Sequence, residues 1–146
     1  MRKYQLYLIE DEFASHYFGR ERIFFHLFKE NRQAVGELKQ ITDKQISYIT
    51  KPLPVLRIHQ LLHKKLEKSN SLKAENGLYT IELNNRTSMA DLSVKENFIV
   101  IEAEGGYEAE TAFFEVLRKC EASFLAIDLE NDKYGWLKPI KERKFV

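Results

Sequence analysis

The sequence predicts an α+β fold: one domain of 146 residues, a mixed but mostly antiparallel sheet, and helices packed over it. Three observations lead there. Through about residues 10–68 the apolar side chains recur at helical spacing. From about residue 77 to 138 short runs alternate apolar and polar between turn residues. One strongly amphipathic helix interrupts that sheet-rich half, so the order reads β-αααα-βββ-α-ββ, a layered arrangement around one core.

Each element has a local reason. Tyr4–Ile9 (YQLYLI) is short and β-rich, and the acids Glu10, Asp11 and Glu12 after it suit the first turn of a helix. Phe13–Phe18 reads as a short helix closed by Gly19, which adopts the left-handed conformation at low cost. From Arg20 to about Ala34, Ile23, Phe24, Leu27 and Phe28 define the apolar face of a second helix. Thr42 is the expected N-cap of a brief third helix over KQISYIT, ended by Lys51-Pro52-Leu53-Pro54. A fourth runs from Pro54 to about Lys68, with Val55, Ile58, Leu62 and Leu66 as its seam.

Residues 69–76 are polar and read as a connection. Leu78–Leu83 and Ser88–Val94 alternate about an Asn84-Asn85 turn, as hairpin strands do. Phe98–Ala103 (FIVIEA) is nearly continuous and predicts a strand buried on both faces. After Gly105-Gly106, Ala109, Ala112, Phe113, Val116, Leu117 and Cys120 form one helical face. Phe124–Leu129 is a further buried strand and Lys133–Leu137 its hairpin partner. The strand–helix–strand unit over 98–129 predicts one parallel crossover.

Composition narrows the function. A chain of this length buries roughly two-thirds of its unfolded surface, enough for a core without staples. One cysteine forbids an intramolecular disulfide and a cysteine zinc cage. Twenty-three basic against 22 acidic residues give a net charge of +1, without the basic excess of a dedicated duplex binder. The N-terminus lacks a signal-peptide apolar core, and no apolar run approaches the roughly 20 residues of a membrane span. The expectation is a cytoplasmic protein with no membrane contact.

Little catalytic chemistry is present. His59 and His63 stand four apart on the fourth helix, but no HExxH pattern or third ligand accompanies them. Cys120 lies on an apolar helical face, as a core residue does. Gly105-Gly106 opens a helix whose N–H groups suit an anion, yet Glu102, Glu104, Glu108 and Glu110 surround it. Asp128 ends a buried strand, either as a lone carboxylate or as acceptor for the following turn. No enzyme activity, metal, cofactor or small-molecule substrate is expected. Residues 51–75 carry Lys51, Arg57, Lys64, Lys65, Lys68 and Lys73 against Glu67 and Glu75, either a solvated helix flank or a nucleic-acid face. The same two readings apply to the terminal KERK.

The aromatic residues are more distinctive. Phe13, Tyr17, Phe18, Phe24, Phe25 and Phe28 fall within sixteen residues, more than one helical face can bury. Phe13 and Tyr17 share a side at i, i+4, and Phe18 points about a quarter-turn away. Either all six are core, or one face is exposed and anchors a protein partner. Gln45 and Tyr48, at i, i+3, are a second pair of the same type.

Five blocks, EDEFASHYFGRE (10–21), TDKQISYIT (42–50), KPLPVLRIHQ (51–60), GGYEAETAFFEVLRK (105–119) and YGWLKPIKERKFV (134–146), resemble the sporulation inhibitor of replication family, SirA. The likeness runs end to end and is weakest over 69–97. It implies a non-enzymatic cytoplasmic protein of endospore-forming bacteria that binds the N-terminal domain of the replication initiator DnaA. It also implies that Phe13, Tyr17, Gln45 and Tyr48 face that partner and that Pro139 serves folding; Phe18, from its place in the aromatic cluster, is a further candidate. Ser15 and Asp11 depart from the family pattern, small polar changes expected at the rim of the face. Direct nucleic-acid contact is not expected on this reading; a regulator using the basic 51–75 flank is the alternative.

Overall fold

The structure, a computed structural model, describes residues 1–138. Pro139 and the KERK run lie outside the described residues. Seven strands form one sheet: β1 (Arg2–Leu8), β2 (Leu72–Glu75), β3 (Leu78–Leu83), β4 (Ser88–Val94), β5 (Ile99–Gly105), β6 (Phe124–Asp128) and β7 (Lys133–Trp136). Five helices accompany them: α1 (Asp11–His16), α2 (Arg22–Gln33), α3 (Gly36–Ile49), α4 (Val55–Lys68) and α5 (Glu108–Cys120). The predicted order of helices and strands is borne out, with β2 added inside the stretch read as a connection. That strand has a single buried residue, Leu72, so its pattern is too weak to recognise without its partner β3.

The sheet order is β2-β3-β4-β5-β1-β6-β7. Every pair in it is antiparallel, so the sheet is not mixed. β5 and β6 do run parallel to each other, because each pairs antiparallel with β1. The predicted crossover therefore spans an intervening strand, and the N-terminal strand fills the gap that α5 leaves between them.

Side-chain alternation assigns two faces. On one, Leu6, Leu8, Ile81, Leu92, Ile101, Phe124 and Ala126 pack against Ile58 and Leu62 of α4 and Phe113 and Leu117 of α5. On the other, Leu125 and Ile127 pack against Ala14 of α1 and Phe24, Phe25 and Phe28 of α2. Helices α1–α3 cover only the β1–β6–β7 end of that second face. This explains why β6 is buried on both sides while FIVIEA is not: Ile99, Ile101 and Ala103 are buried, but Val100 and Glu102 stay half-exposed.

Helix α3 is longer than predicted. Thr42 is not its N-cap but a buried mid-helix residue whose hydroxyl donates to the Leu38 carbonyl at 3.0 Å. Threonine accepts both roles, and only the packing against Asn31 of α2 (2.9 Å) separates them. Helix α1 begins and ends two residues earlier than predicted and is capped by Tyr17, so Gly19, with φ +80°, turns the chain three residues past the helix instead of capping it. Asn84 and Asn85 both have positive φ in the β3–β4 turn.

The start of α5 is closed by the chain itself. The Ser88 hydroxyl accepts the Ala109 N–H at 3.0 Å and donates to the Gly106 carbonyl at 2.7 Å. Arg2 reaches Glu110 through Nε at 2.9 Å and the Gly106 carbonyl at 3.1 Å. Gly105 (φ +75°) has no room for a Cβ, which would stand 1.9 Å from the Thr87 carbonyl oxygen. Gly105-Gly106 is thus a tight strand-to-helix turn whose donors have internal partners.

Candidate functional site

The two helices that carry the predicted partner residues are tied at their ends by backbone. Ile9 bridges Thr50, the Glu10 N–H donates to the Ile49 carbonyl at 2.8 Å, and the Lys51 N–H to the Leu8 carbonyl at 2.7 Å. The start of α1 therefore sits against the end of α3. Asp11 holds this junction, accepting from Lys51 Nζ at 3.1 Å and from the Ser123 hydroxyl at 2.6 Å. A second clamp fixes α3 to α2, where Asn31 donates to Thr42 and to Asp43 (2.7 Å) and accepts from Lys39 (2.8 Å). The Asn31 hydrogen bond, and then Lys39, hold the Asp43 carboxyl below its ordinary range.

This scaffold brings Phe13 of α1 and Tyr48 of α3 together, with ring centroids 5.3 Å apart. Tyr48 is 73% exposed and Phe13 half-buried, so the pair forms a ridge rooted in the core beneath α1. Gln45 lies exposed one turn before Tyr48. Tyr17 is turned differently: its half-buried ring meets Phe24 edge-on at 5.5 Å and lies under the Arg20 guanidinium at 5.2 Å. Phe18 is 39% exposed in the turn after α1. The six clustered aromatics thus divide, with Phe24, Phe25 and Phe28 in the core and Phe13, Tyr17 and Phe18 at or near the surface.

Two further residues belong to this surface. Leu38 and Ile41 are exposed on α3 and share an arc of about a quarter-turn with Gln45 and Tyr48. Their i, i+3, i+7, i+10 spacing is present in the sequence, but it is hidden when Thr42 is read as the start of the helix.

The Phe18 turn is anchored through Glu21, whose carboxylate accepts from Trp136 Nε1 and from the Gly19 N–H, each at 3.1 Å. Burial pushes this carboxyl up, but hydrogen bonds from its own backbone, Trp136 and Gly19 outweigh burial and leave it below its ordinary range. Its stabilisation is therefore present above the unfolded-state value and lost as pH falls through the lower native one. Trp136 is the single tryptophan, so acid titration of its fluorescence reports this contact. The emission should hold through the ordinary glutamate range near about pH 4.3 and change only below it. Glu21→Gln should remove that step, and a step at or above the ordinary value would contradict the assignment.

The remaining candidates have structural partners. His59 Nδ1 lies 2.7 Å from the Tyr79 hydroxyl, and the His63 ring meets Tyr79 edge-on. Among the described residues no group of three or more histidine, cysteine or acidic side chains could hold a metal. Asp128 accepts from the backbone and side chain of Asn131 at 3.1 and 2.8 Å, the turn-acceptor role. Cys120 is buried, and that burial raises its thiol pKa. No helix among the described residues is long and apolar enough to cross a membrane.

The family described as "Sporulation inhibitor of replication protein SirA" matches residues 2–141. The chain belongs to this family. It is 48% identical over 147 residues, covering 99% of both chains, to the Sporulation inhibitor of replication protein SirA of Bacillus subtilis (strain 168). The resemblance carried by the five blocks is borne out. Within this SirA-family fold, the four residues implied by the resemblance lie on the tethered α1–α3 unit, Phe13 in α1, Tyr17 at its C-cap and Gln45 and Tyr48 in α3, with Phe18 in the turn beyond.

Proposed function

We propose that this protein inhibits replication during sporulation, without catalysis, by occupying a surface on the N-terminal domain of the initiator DnaA. Membership in the sporulation inhibitor of replication family supports the inhibitory role. The observation that carries the docking assignment is the exposed Phe13–Tyr48 contact on two helices locked end to end. Aromatic side chains held rigidly at a surface lose little entropy on binding and make effective anchors. Gln45 supplies an amide beside them, and Tyr17 and Phe18 extend the apolar area. An interface of about 1,200 Å² in total, at the small end of the specific class, suffices when two or three aromatics fill pockets. Nothing in this mechanism requires a bond to be made or broken.

Mixing the purified protein with the isolated N-terminal domain of DnaA tests the reading. Calorimetry should show saturable binding at one site, with the complex co-eluting in gel filtration. No heat and no co-elution would remove the initiator as partner.

A further inference from the structure

The fold sorts charge in a way that the near-neutral total conceals. On the sheet face away from α4 and α5, the residues alternating with buried Ile81, Ala90, Leu92, Ile101 and Ala103 include Glu82, Asp91, Glu102 and Glu104. The opposite side carries a local cluster of cations. There α4 and α5 form a groove of about 310 Å³, with Leu61 and Val116 in its floor and Lys64, Lys65, Lys68 and Lys119 on its walls. Arg57, exposed and two turns before Lys64, lies on the same face of α4.

These cations are poorly compensated. Arg57, Lys64, Lys65, Lys68 and Lys119 are exposed and enter no ion pair among the described residues. The carboxylates at this seam are Glu115, which lines the groove and is paired with Arg118 at 3.1 Å, Glu121 just past the end of α5, and Glu67 on α4, fewer than the five cations. Basic residues in a last helical turn favour the dipole of their own helix. That accounts for each helix separately but not for the meeting of both sets across one groove.

We infer that this groove is a second docking surface, for the phosphate backbone of double-stranded DNA. From Arg57 to Lys68 the stripe spans about 16 Å of helix axis. Laid along the duplex axis, where each strand carries one phosphate per roughly 3.4 Å, that length spans about five phosphate levels. Leu61 and Val116 are only half-exposed in the floor, and the ammonium groups of four lysines around them offer a partner chiefly ionic contacts. Contacts of this kind are sequence-independent and position a protein without selecting a site. The groove lies across the sheet from α1–α3, so both surfaces can be occupied at once.

The test is fluorescence anisotropy with a labelled duplex of about 20 base pairs, titrated over a range of salt. The wild-type protein should bind at low salt, with a log–log salt slope near about −4 for four or five neutralised phosphates. The triple variant Lys64→Gln, Lys65→Gln, Lys68→Gln, at three exposed positions, should bind at least about ten-fold more weakly, with a slope shallower by about 3. An unchanged circular dichroism melt would show that it remains folded. Tyr48→Ala should leave duplex binding intact, which separates this surface from the proposed initiator-binding one. Absence of low-salt binding by the wild type, or equal binding by the triple variant, would overturn the assignment. So would preference for phosphatidylglycerol vesicles or polyglutamate over the duplex, which would give the groove to a membrane or an acidic protein.

Discussion

Truncating Tyr48 to alanine should weaken binding to the N-terminal domain of DnaA by about 2 kcal/mol, roughly 30-fold in Kd. The side chain is 73% exposed and its ring contact is with Phe13, so little of the fold depends on it. Thermal denaturation should therefore stay close to wild type while affinity falls. That separation makes Tyr48 the most informative position on the face. Phe13→Ala should also reduce affinity, but Phe13 packs on the core of α1 and α2, so stability falls with it. Gln45→Ala, an exposed polar truncation, should cost less than either aromatic change. Wild-type affinity in Tyr48→Ala would move the docking surface away from α1–α3.

Arg2→Ala should destabilise the fold by about 3 kcal/mol, measured as a lower urea midpoint with an unchanged slope. Arg2 makes several contacts at the start of α5, to both Glu110 oxygens and the Gly106 carbonyl. The Glu110 side chain is 1% exposed and the Arg2 side chain 20%, so removing the guanidinium leaves a buried carboxylate without its counter-charge. The partial exposure of Arg2 argues for the lower end of the range for broken buried pairs. Arg2→Met combined with Glu110→Leu should recover most of the loss, because the pair's favourable energy largely offsets the desolvation of two charges. A loss below about 1 kcal/mol in Arg2→Ala would place the pair among surface bridges. Binding of the initiator domain at saturating concentration should be preserved, since this network lies on the other side of the sheet from α1 and α3.

Much of the fold is legible because it follows from short-range pattern. The seam of Ile58, Leu62 and Leu66 and the stripe of Phe113, Val116, Leu117 and Cys120 are helical whatever lies beside them. Asn84-Asn85 supplies positive φ where a tight turn needs it. The errors share a different character. Thr42 caps one helix or continues another equally well by itself, and Asn31, eleven residues away, decides between them. Residues 72–75 have strand form only because β3 pairs with them. FIVIEA is apolar enough for burial on both faces, yet α1–α3 do not extend over it.

The candidate site divides in the same way. Local spacing singles out Phe13 with Tyr17 and Gln45 with Tyr48, and the motif blocks carry the family. No periodicity places Phe13 against Tyr48, because a contact between residues 35 positions apart is made by the Ile9–Thr50 bridge and the bonds around it.

By itself the sequence determined the class of fold, the family and the residue types available for a protein contact, since these depend on composition, spacing and motif. The tertiary structure alone decided which aromatics are core and which are surface, and that Lys64, Lys65, Lys68 and Lys119 meet at one α4–α5 groove while Glu82, Asp91, Glu102 and Glu104 share the other face of the sheet. The physical reason is that exposure and electrostatic potential depend on what packs over a residue. Around β1, whose partners β5 and β6 come from the other end of the chain, those neighbours are distant in sequence.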